Sequence, residues 1–145
     1  MNPSAEELAL LGLVAGDPLP AGGQHLVLTI RSGNRSAHVW SDLFESAFRE
    51  RFGVGLHPGS LNLWAEDPIT WEHPLELKAK GLVGEFCPVI LDESAIGAAF
   101  RGNRLTPRYL EVLSPVRLRD RLPYNSDGAC ISVRLLPGEF LRRAA

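Results

Sequence analysis

Residues 41–64 read SDLFESAFRERFGVGLHPGSLNLW, and this stretch does most to indicate the fold. Its first half has the apolar spacing of an amphipathic helix, with Ser41 suited to be the N-cap and Gly53 to follow the last turn. Its second half passes through a Pro-Gly turn into SLNLW, a run with the features of a half-exposed strand. The stretch therefore predicts one well-defined helix that leads through a turn into a strand over 60–64.

The rest of the chain consists mostly of short strand-like runs separated by glycine and proline. A capping box from Ser4 to Glu7 predicts a short N-terminal helix, and residues 118–122 predict one helical turn. Many short strands with one good helix favour a mainly β domain over 1–145, built as a closed or partly closed barrel rather than a parallel α/β sheet. The predicted strands are 25–30, 35–40, 60–64, 75–79, 86–91, 95–100, 109–114 and 129–135, the first two paired as a hairpin.

Composition and charge exclude several classes of protein. The net charge of -2 gives no reason to expect a nucleic-acid partner, and no apolar run approaches the length needed to span a bilayer. The N-terminus is acidic where a signal peptide would be basic. Cys87 and Cys130 lie in apolar strand-like runs and are expected to be buried free thiols of a reducing compartment. We therefore expect a cytoplasmic protein without membrane or nucleic-acid partners.

The common short catalytic signatures are absent from the sequence, which has no GxSxG elbow, Walker A loop or HExxH. The four histidines lack metal-ligand spacing, so no zinc site is expected. Ser60 and Asn62 would present two neutral oxygens to one face of a strand, as in a half-exposed edge strand or a hard-cation site. Glu111 would face away from Leu110 and Val112, toward the barrel mouth or solvent.

Three further features have both a structural and a functional interpretation. The tryptophans Trp40, Trp64 and Trp71 fit packing better than a stacking platform for a planar ligand. The loop GDPLPAGGQ at 16–24 fits an ordinary connection better than a phosphate cradle. The alternate arginines in VRLRDRL fit a solvated surface, although strand ends often supply anion sites.

In chain order, HPGSLNLW at 57–64, LEVLSPVRLRDRL at 110–122 and SDGACISV at 126–133 resemble the archaeal-type CTP-dependent riboflavin kinases. The likeness covers roughly residues 12–136 and is most specific over 44–62 and 109–133. That family has a small β-barrel of the cradle-loop type and makes FMN from riboflavin with CTP and Mg²⁺. The resemblance implies a divergent member with the same barrel, phosphotransferase activity and substrates.

Residue by residue, the resemblance implies a site. Ser60 and Asn62 stand where the family has its magnesium ligands. Glu111 matches the glutamate that contacts the ribityl end of the flavin, and is the expected catalytic residue. Asn103 stands where a family threonine touches the flavin. The nucleotide contacts are expected from Gly22, Gly23 and Gln24, and from Val116, Arg117, Leu118 and Arg119.

This sequence departs from the family pattern in the phosphate-binding loop and in the residues expected to contact the acceptor. The glycine-rich loop is reordered, Asn103 replaces threonine with Thr106 nearby, and an extra hairpin is predicted over 31–40. The expected partners are therefore small molecules, CTP with riboflavin or a related alcohol. The alternatives are a kinase of the same scaffold for another alcohol, and a non-catalytic flavin- or nucleotide-binding module. A DNA-binding barrel is disfavoured by the acidic balance.

Overall fold

Strands form most of the described part of the chain, which in this computed structural model covers residues 2–31, 37–102 and 107–142. No helix in these ranges is long and apolar enough to cross a membrane. The described helices are α1 (Ala5–Ala9) and α2 (Ala37–Phe52), with 3-10 turns at Leu118–Arg121 and Gly138–Phe140. The described strands are β1 (Gln24–Ile30), β2 (Leu61–Trp64), β3 (Leu75–Ala79), β4 (Leu82–Leu91), β5 (Ala95–Arg101), β6 (Tyr109–Leu113) and β7 (Cys130–Leu135).

Antiparallel pairing closes six of the described strands into a barrel. The sheet runs in the order β3-β4-β5-β6-β2-β1-β7, and β7 pairs back onto β4. The closing register sets Val89 opposite Leu135 and Leu91 opposite Val133, while β3 extends the sheet beyond the first half of β4. The predicted fold class, a mainly β barrel with one well-defined helix and short helical turns, is confirmed.

Every second side chain of the barrel strands points into a closed apolar interior, as the two-residue period of a strand requires. This alternation is clear in β1, β2, β6 and β7, each of which turns its other side chains outward. The interior includes Leu28, Ile30, Leu61, Leu63, Val89, Leu91, Leu110, Val112, Ile131, Val133 and Leu135.

A second apolar cluster lies between α2 and the outer face of β3, β4 and β5. Phe44, Phe48 and Phe52 follow one another at four-residue intervals, so they form one stripe on the helix. Their rings pack on Phe86, with centroids 5.1 Å away for Phe44 and 5.3 Å away for Phe48. Strands β4 and β5 are thus covered on both faces, which explains their nearly unbroken apolar runs in the sequence.

Helix α2 begins at Ala37, four residues before its predicted start. The strand predicted over 35–40 is therefore wrong for residues 37–40, which are helical, while 35 and 36 lie outside the described residues. Burial of an aromatic ring accounts for the difference. Trp40 continues the helical stripe, and its ring centroid lies 5.2 Å from that of Phe100.

Ser41 is buried inside α2 and is not its N-cap. Its hydroxyl donates to the carbonyl oxygen of His38 at 3.0 Å and accepts the N–H of Gly59 at 3.0 Å. The second bond fastens the first turns of the helix to the segment that leads into β2. The predicted helix end is confirmed, because Gly53 has a φ of 74° and donates its N–H to the carbonyl of Arg49.

Glu7 joins α1 to the barrel. The predicted capping box is confirmed: Ser4 Oγ accepts the N–H of Glu7, and Glu7 Oε1 accepts the N–H of Ser4. The same carboxylate is fully buried, and its Oε2 accepts the N–H of Ile96 at 2.7 Å. Arg121 Nε lies 3.1 Å from Oε1 as an ion pair. One carboxylate therefore connects α1, β5 and the 3-10 turn that follows β6.

The loop before β1 is held by a buried arginine. Arg134 on β7 pairs with both carboxylate oxygens of Glu93 and donates to the carbonyl oxygens of Pro20 at 2.7 Å and Gly22 at 2.8 Å. The guanidinium holds the pKa of Glu93 below its usual range, because its hydrogen bonds favour the charged carboxylate. These bonds hold the backbone of the loop against β7.

The two cysteines differ in accessibility, and both are free thiols. Cys87 is buried inside the barrel, and burial raises the pKa of its thiol to about 12. The expectation of a buried thiol is wrong for Cys130, which is exposed because it opens β7 on the outer face, with its Sγ 3.8 Å from Thr29 Oγ.

We expect an aromatic disulfide reagent to label one thiol per folded chain and two after unfolding in urea, because a protonated buried thiol is a poor nucleophile. Spectrophotometric thiol titration measures this stoichiometry. The Cys130→Ser variant is the control and should show no reactive thiol until it unfolds. Rapid labelling of this variant in its folded state would contradict the burial of Cys87.

Candidate active site on the outer wall of the barrel

Strands β2 and β6 bring three of the predicted site residues together. Asn62 and Glu111 stand directly opposite each other in the register of the two strands. Ser60 lies immediately before β2, and its hydroxyl donates to Glu111 Oε1 at 3.0 Å. Since Leu61 and Leu63 point into the barrel, these polar side chains lie on its outer wall. The Ser60–Glu111–Asn62 cluster therefore places a hydroxyl, a carboxylate and an amide side by side.

Glu111 is a partly buried acid with polar neighbours on β2 and an aromatic neighbour on β5. Its partner on β5 in the register is Phe100, which belongs to the aromatic cluster under α2. Burial raises the pKa of Glu111 above its usual range, and the hydrogen bond from Ser60 opposes part of this shift. A carboxylate with a raised pKa beside other polar groups has the properties of a proton acceptor in catalysis.

Tyr109 completes this cluster, although the sequence did not single it out. Its hydroxyl donates to Asn62 Oδ1, which is part of a side chain only 6% exposed. Burial raises the pKa of the Tyr109 phenol, and the nearby charge of Glu111 adds to the effect. The one available signal was that Tyr109 precedes Glu111 by two residues and so shares its face. Its partner across the strands cannot be deduced from one strand alone.

Ser60 also lines an open cleft of about 170 Å³, whereas Asn62 and Glu111 are not among its lining residues. One wall is the segment His57–Leu61, and the other comes from the end of β6 and the 3-10 turn after it. The two walls are joined by a hydrogen bond of 2.8 Å from the N–H of His57 to the carbonyl of Ser114. The residues of the second wall that were expected to contact the nucleotide are Val116, Arg117, Leu118 and Arg119, and all of them line the cleft.

Two guanidinium groups provide positive charge at this cleft. Arg117 pairs with Asp120 at 2.9 Å, and Arg119 pairs with Asp127 at 3.2 Å. Arg119 also donates to the carbonyl oxygen of Asn125. These pairs are partly exposed, and exposed ion pairs contribute about 1 kcal/mol or less to stability. Each guanidinium at the cleft is thus already paired with a carboxylate, and the Arg117–Asp120 pair is the more exposed of the two.

The side chains of the cluster would offer a cation oxygen ligands only. Among residues 2–31, 37–102 and 107–142, no group of three or more His, Cys, Asp or Glu side chains is placed to hold a metal ion. A cation here would rely on the Ser60 hydroxyl and the Asn62 amide oxygen, both of them oxygen ligands of the kind that Mg²⁺ takes. An amide oxygen has two lone pairs, so Asn62 can accept Tyr109 and still ligate a cation.

The structure does not bring Gly22, Gly23 and Gln24 to this cleft. Gln24 pairs with Leu135 at one end of β1, whereas the N–H of Arg31, just beyond the other end, bonds the carbonyl of Asn62 at 3.1 Å. The length of β1 separates the two segments by about 20 Å. Gly23 is instead required by packing, since a Cβ there would lie 2.8 Å from the carbonyl oxygen of Leu135.

The acceptor side of the predicted site lies partly outside the described residues. Asn103 and Thr106 belong to the segment 103–106, and most of the predicted hairpin loop belongs to 32–36, neither of which is described. No protein-family model matches the sequence, and no curated protein matches it either. The function therefore has to be inferred from the cluster, the cleft and the sequence resemblance.

Proposed function

We propose that this protein transfers the γ-phosphoryl group of CTP to the primary hydroxyl of riboflavin, giving FMN and CDP with the help of Mg²⁺. The observation that carries the proposal is the hydrogen bond of 3.0 Å between Ser60 and Glu111 at the edge of a cleft lined by Val116–Arg119. These residues come from the two segments in which the sequence resemblance is most specific. They are far apart in the chain and meet at one place in the barrel.

The proposed reaction forms a bond between the primary hydroxyl oxygen of riboflavin and the γ-phosphorus of CTP. The bond from that phosphorus to the oxygen bridging to the β-phosphate breaks, and CDP leaves with the electron pair. Glu111 accepts the proton of the attacking hydroxyl, a role for which a carboxylate with a raised pKa is better suited than an ordinary one. Ser60 orients that carboxylate through its hydrogen bond.

The rest of the site has to position the phosphates, since phosphoryl transfer depends chiefly on placement and charge stabilisation. Arg117 and Arg119 are the candidate cationic contacts for the nucleotide in the cleft. Ser60 and Asn62 are the candidate ligands of Mg²⁺, which when bound would neutralise charge on the phosphate oxygens.

A nucleotide- or flavin-binding module without turnover is the second candidate. Asn62 is 6% exposed, and the Tyr109 hydroxyl already donates to the oxygen that a cation would need. In such a module the cleft would hold a nucleotide while the cluster served only to brace β2 against β6. Consumption of CTP that depends on both a divalent cation and an acceptor alcohol distinguishes the kinase from the module.

Riboflavin, Mg²⁺ and CTP incubated with the purified protein are expected to yield FMN, separated and quantified by chromatography, and ATP is tested in parallel. Ser60→Ala should lower the rate about 10²-fold or more, because a metal ligand and the partner of Glu111 are both lost. Ser132→Ala is a matched control, since Ser132 is an exposed serine on β7. It should retain the full rate.

Two results would overturn the proposal in different ways. If CTP binds but no FMN forms, while another alcohol is phosphorylated, the scaffold is a kinase with a different acceptor. If CTP binds and no acceptor in a panel of primary alcohols is phosphorylated, the binding module is the better description. An equal rate for Ser60→Ala and Ser132→Ala would remove the cluster from the reaction.

A further inference from the structure

An aromatic pair stands next to the cluster on the same outer wall. Trp64 follows Asn62 by two residues on β2, Tyr109 precedes Glu111 by two residues on β6, and the two aromatic residues are partners in the register. Their ring centroids are 5.3 Å apart. Trp64 remains 39% exposed, which is a large exposed area for an indole in the wall of a barrel.

The exposed side of Trp64 faces an open groove of about 710 Å³ that runs along the outer face of β1. Val27, which is 71% exposed, contributes a second apolar surface to it. Arg31 and Arg108 also line the groove and can donate N–H groups to carbonyl oxygens of a ligand. The groove thus combines an aromatic surface, an aliphatic one and exposed guanidinium donors, with Glu66 and Asp67 also in its lining.

The distance between Trp64 and Glu111 limits the size of a ligand that could contact both residues. Trp64 and Glu111 are diagonal neighbours across β2 and β6, so their Cα atoms are about 7–8 Å apart. A ligand lying on Trp64 could present a hydroxyl to Glu111 only through a short arm. A ring system that carries a polyol chain of the length of ribityl meets this requirement.

We propose that Trp64 and the groove beside it bind the planar ring of the acceptor alcohol, with its polyol arm directed to Glu111. This inference rests on the proposed function, whose acceptor subsite it identifies. The guanidinium of Arg31 lies 5.3 Å from the centroid of the Trp64 ring, over its face. The acceptor ring displaces this exposed guanidinium, and Arg31 then donates to the polar edge of the ring instead.

Titration of riboflavin with the protein, without nucleotide or metal, tests the subsite by quenching of flavin fluorescence. The unsubstituted chain should bind riboflavin, Trp64→Leu should weaken binding about tenfold or more, and Trp64→Phe should recover part of the loss, as expected for stacking. Tyr124→Leu is the matched control because Tyr124 is an exposed aromatic residue outside the groove. Circular dichroism verifies that each variant is folded.

The outcomes separate this inference from the proposed function. Riboflavin binding that is lost in Trp64→Leu, without FMN formation under any condition, supports the subsite and overturns the kinase. FMN formation with the same riboflavin KM in Trp64→Leu as in the unsubstituted chain overturns the subsite and leaves the kinase intact. Equal dissociation constants for Trp64→Leu and Tyr124→Leu, or no riboflavin binding by the folded chain, also overturn the subsite.

Discussion

Replacing Glu111 with glutamine is expected to slow the proposed phosphoryl transfer about 10²-fold and to raise the midpoint of thermal unfolding at neutral pH. Glutamine has the same shape and can still accept the hydrogen bond of Ser60, but it cannot take a proton from the attacking hydroxyl. Stability should rise because burial, which raises the pKa of Glu111, makes its charged form unfavourable in the folded chain. The lower rate and the higher stability would then both follow from the replacement of one carboxylate oxygen of Glu111 by an amide nitrogen.

The pH dependence of both effects follows from the direction of this shift. Below the usual pKa of glutamate, Glu111 is protonated in both the folded and the unfolded chain, so the variant and the unsubstituted protein should differ little in stability. As the pH rises from there to the raised pKa of folded Glu111, the unfolded chain loses the proton first, and the unsubstituted protein loses stability relative to the variant. The rate of the proposed phosphoryl transfer should increase through the raised pKa, because Glu111 as the proposed base must be deprotonated.

Initial rates of FMN formation and thermal unfolding followed by circular dichroism, both from pH 4 to 9, measure the two curves. Glu139→Gln is the control, since Glu139 is exposed in the 3-10 turn near the C-terminus. It should leave both curves unchanged. A Glu111→Gln variant with the full rate across this range would exclude Glu111 as the proton acceptor.

Replacing Glu7 with alanine is expected to lower the free energy of unfolding by about 3–5 kcal/mol, as when one partner of a buried ion pair is removed. The carboxylate is fully buried and bonds the N–H groups of Ser4 and Ile96. It also lies 3.1 Å from Arg121, whose side chain is mostly buried. Alanine would leave that guanidinium without its counter-charge and the N–H of Ile96 without an acceptor.

Urea unfolding followed by far-ultraviolet circular dichroism gives the two free energies for this comparison. Glu6→Ala is the matched control, because Glu6 is the exposed neighbour on the same helix, and its effect should stay within about 0.5 kcal/mol. Adding Arg121→Met to each chain completes a double-mutant cycle and isolates the ion pair. If Glu7→Ala and Glu6→Ala cost the same, α1 does not depend on this carboxylate.

Short sequence patterns were sufficient to predict the features of the fold that depend only on neighbouring residues. The capping box at Ser4 and Glu7, the glycine that ends α2 and the strand over 75–79 are all found as predicted. The predicted start of α2 was wrong. The sequence RSAHVW has the pattern of a strand, but the long-range contact of Trp40 with Phe100 favours the helix. Strand β4 begins at Leu82, earlier than predicted, because a turn at Lys80 and Gly81 with positive φ pairs it with β3.

The residues of the candidate site could be predicted because they lie in two short segments of the sequence, but their arrangement could not. Ser60, Asn62 and Glu111 could be named from those segments, but their contact depends on the register of β2 with β6, which neither strand specifies alone. The same register hides Tyr109 and the aromatic pair it forms with Trp64. Gly22 and Gly23 were assigned from the family resemblance, and only the course of β1 shows how far they lie from the cleft.

Strand β4 pairs with three other strands, and this affects how the chain folds. β4 pairs with β3 and β5 through nearby hairpins, but its last residues also pair with β7, and β7 pairs with β1 across nearly the whole sequence. Pairing between strands so far apart in the sequence slows folding, because the entropy of closing the long loop between them is lost before the contacts form. During synthesis the ring cannot close until β7 has left the ribosome. Until then β1 and the last residues of β4 have an unpaired edge, and this is when the nascent chain is most exposed to aggregation.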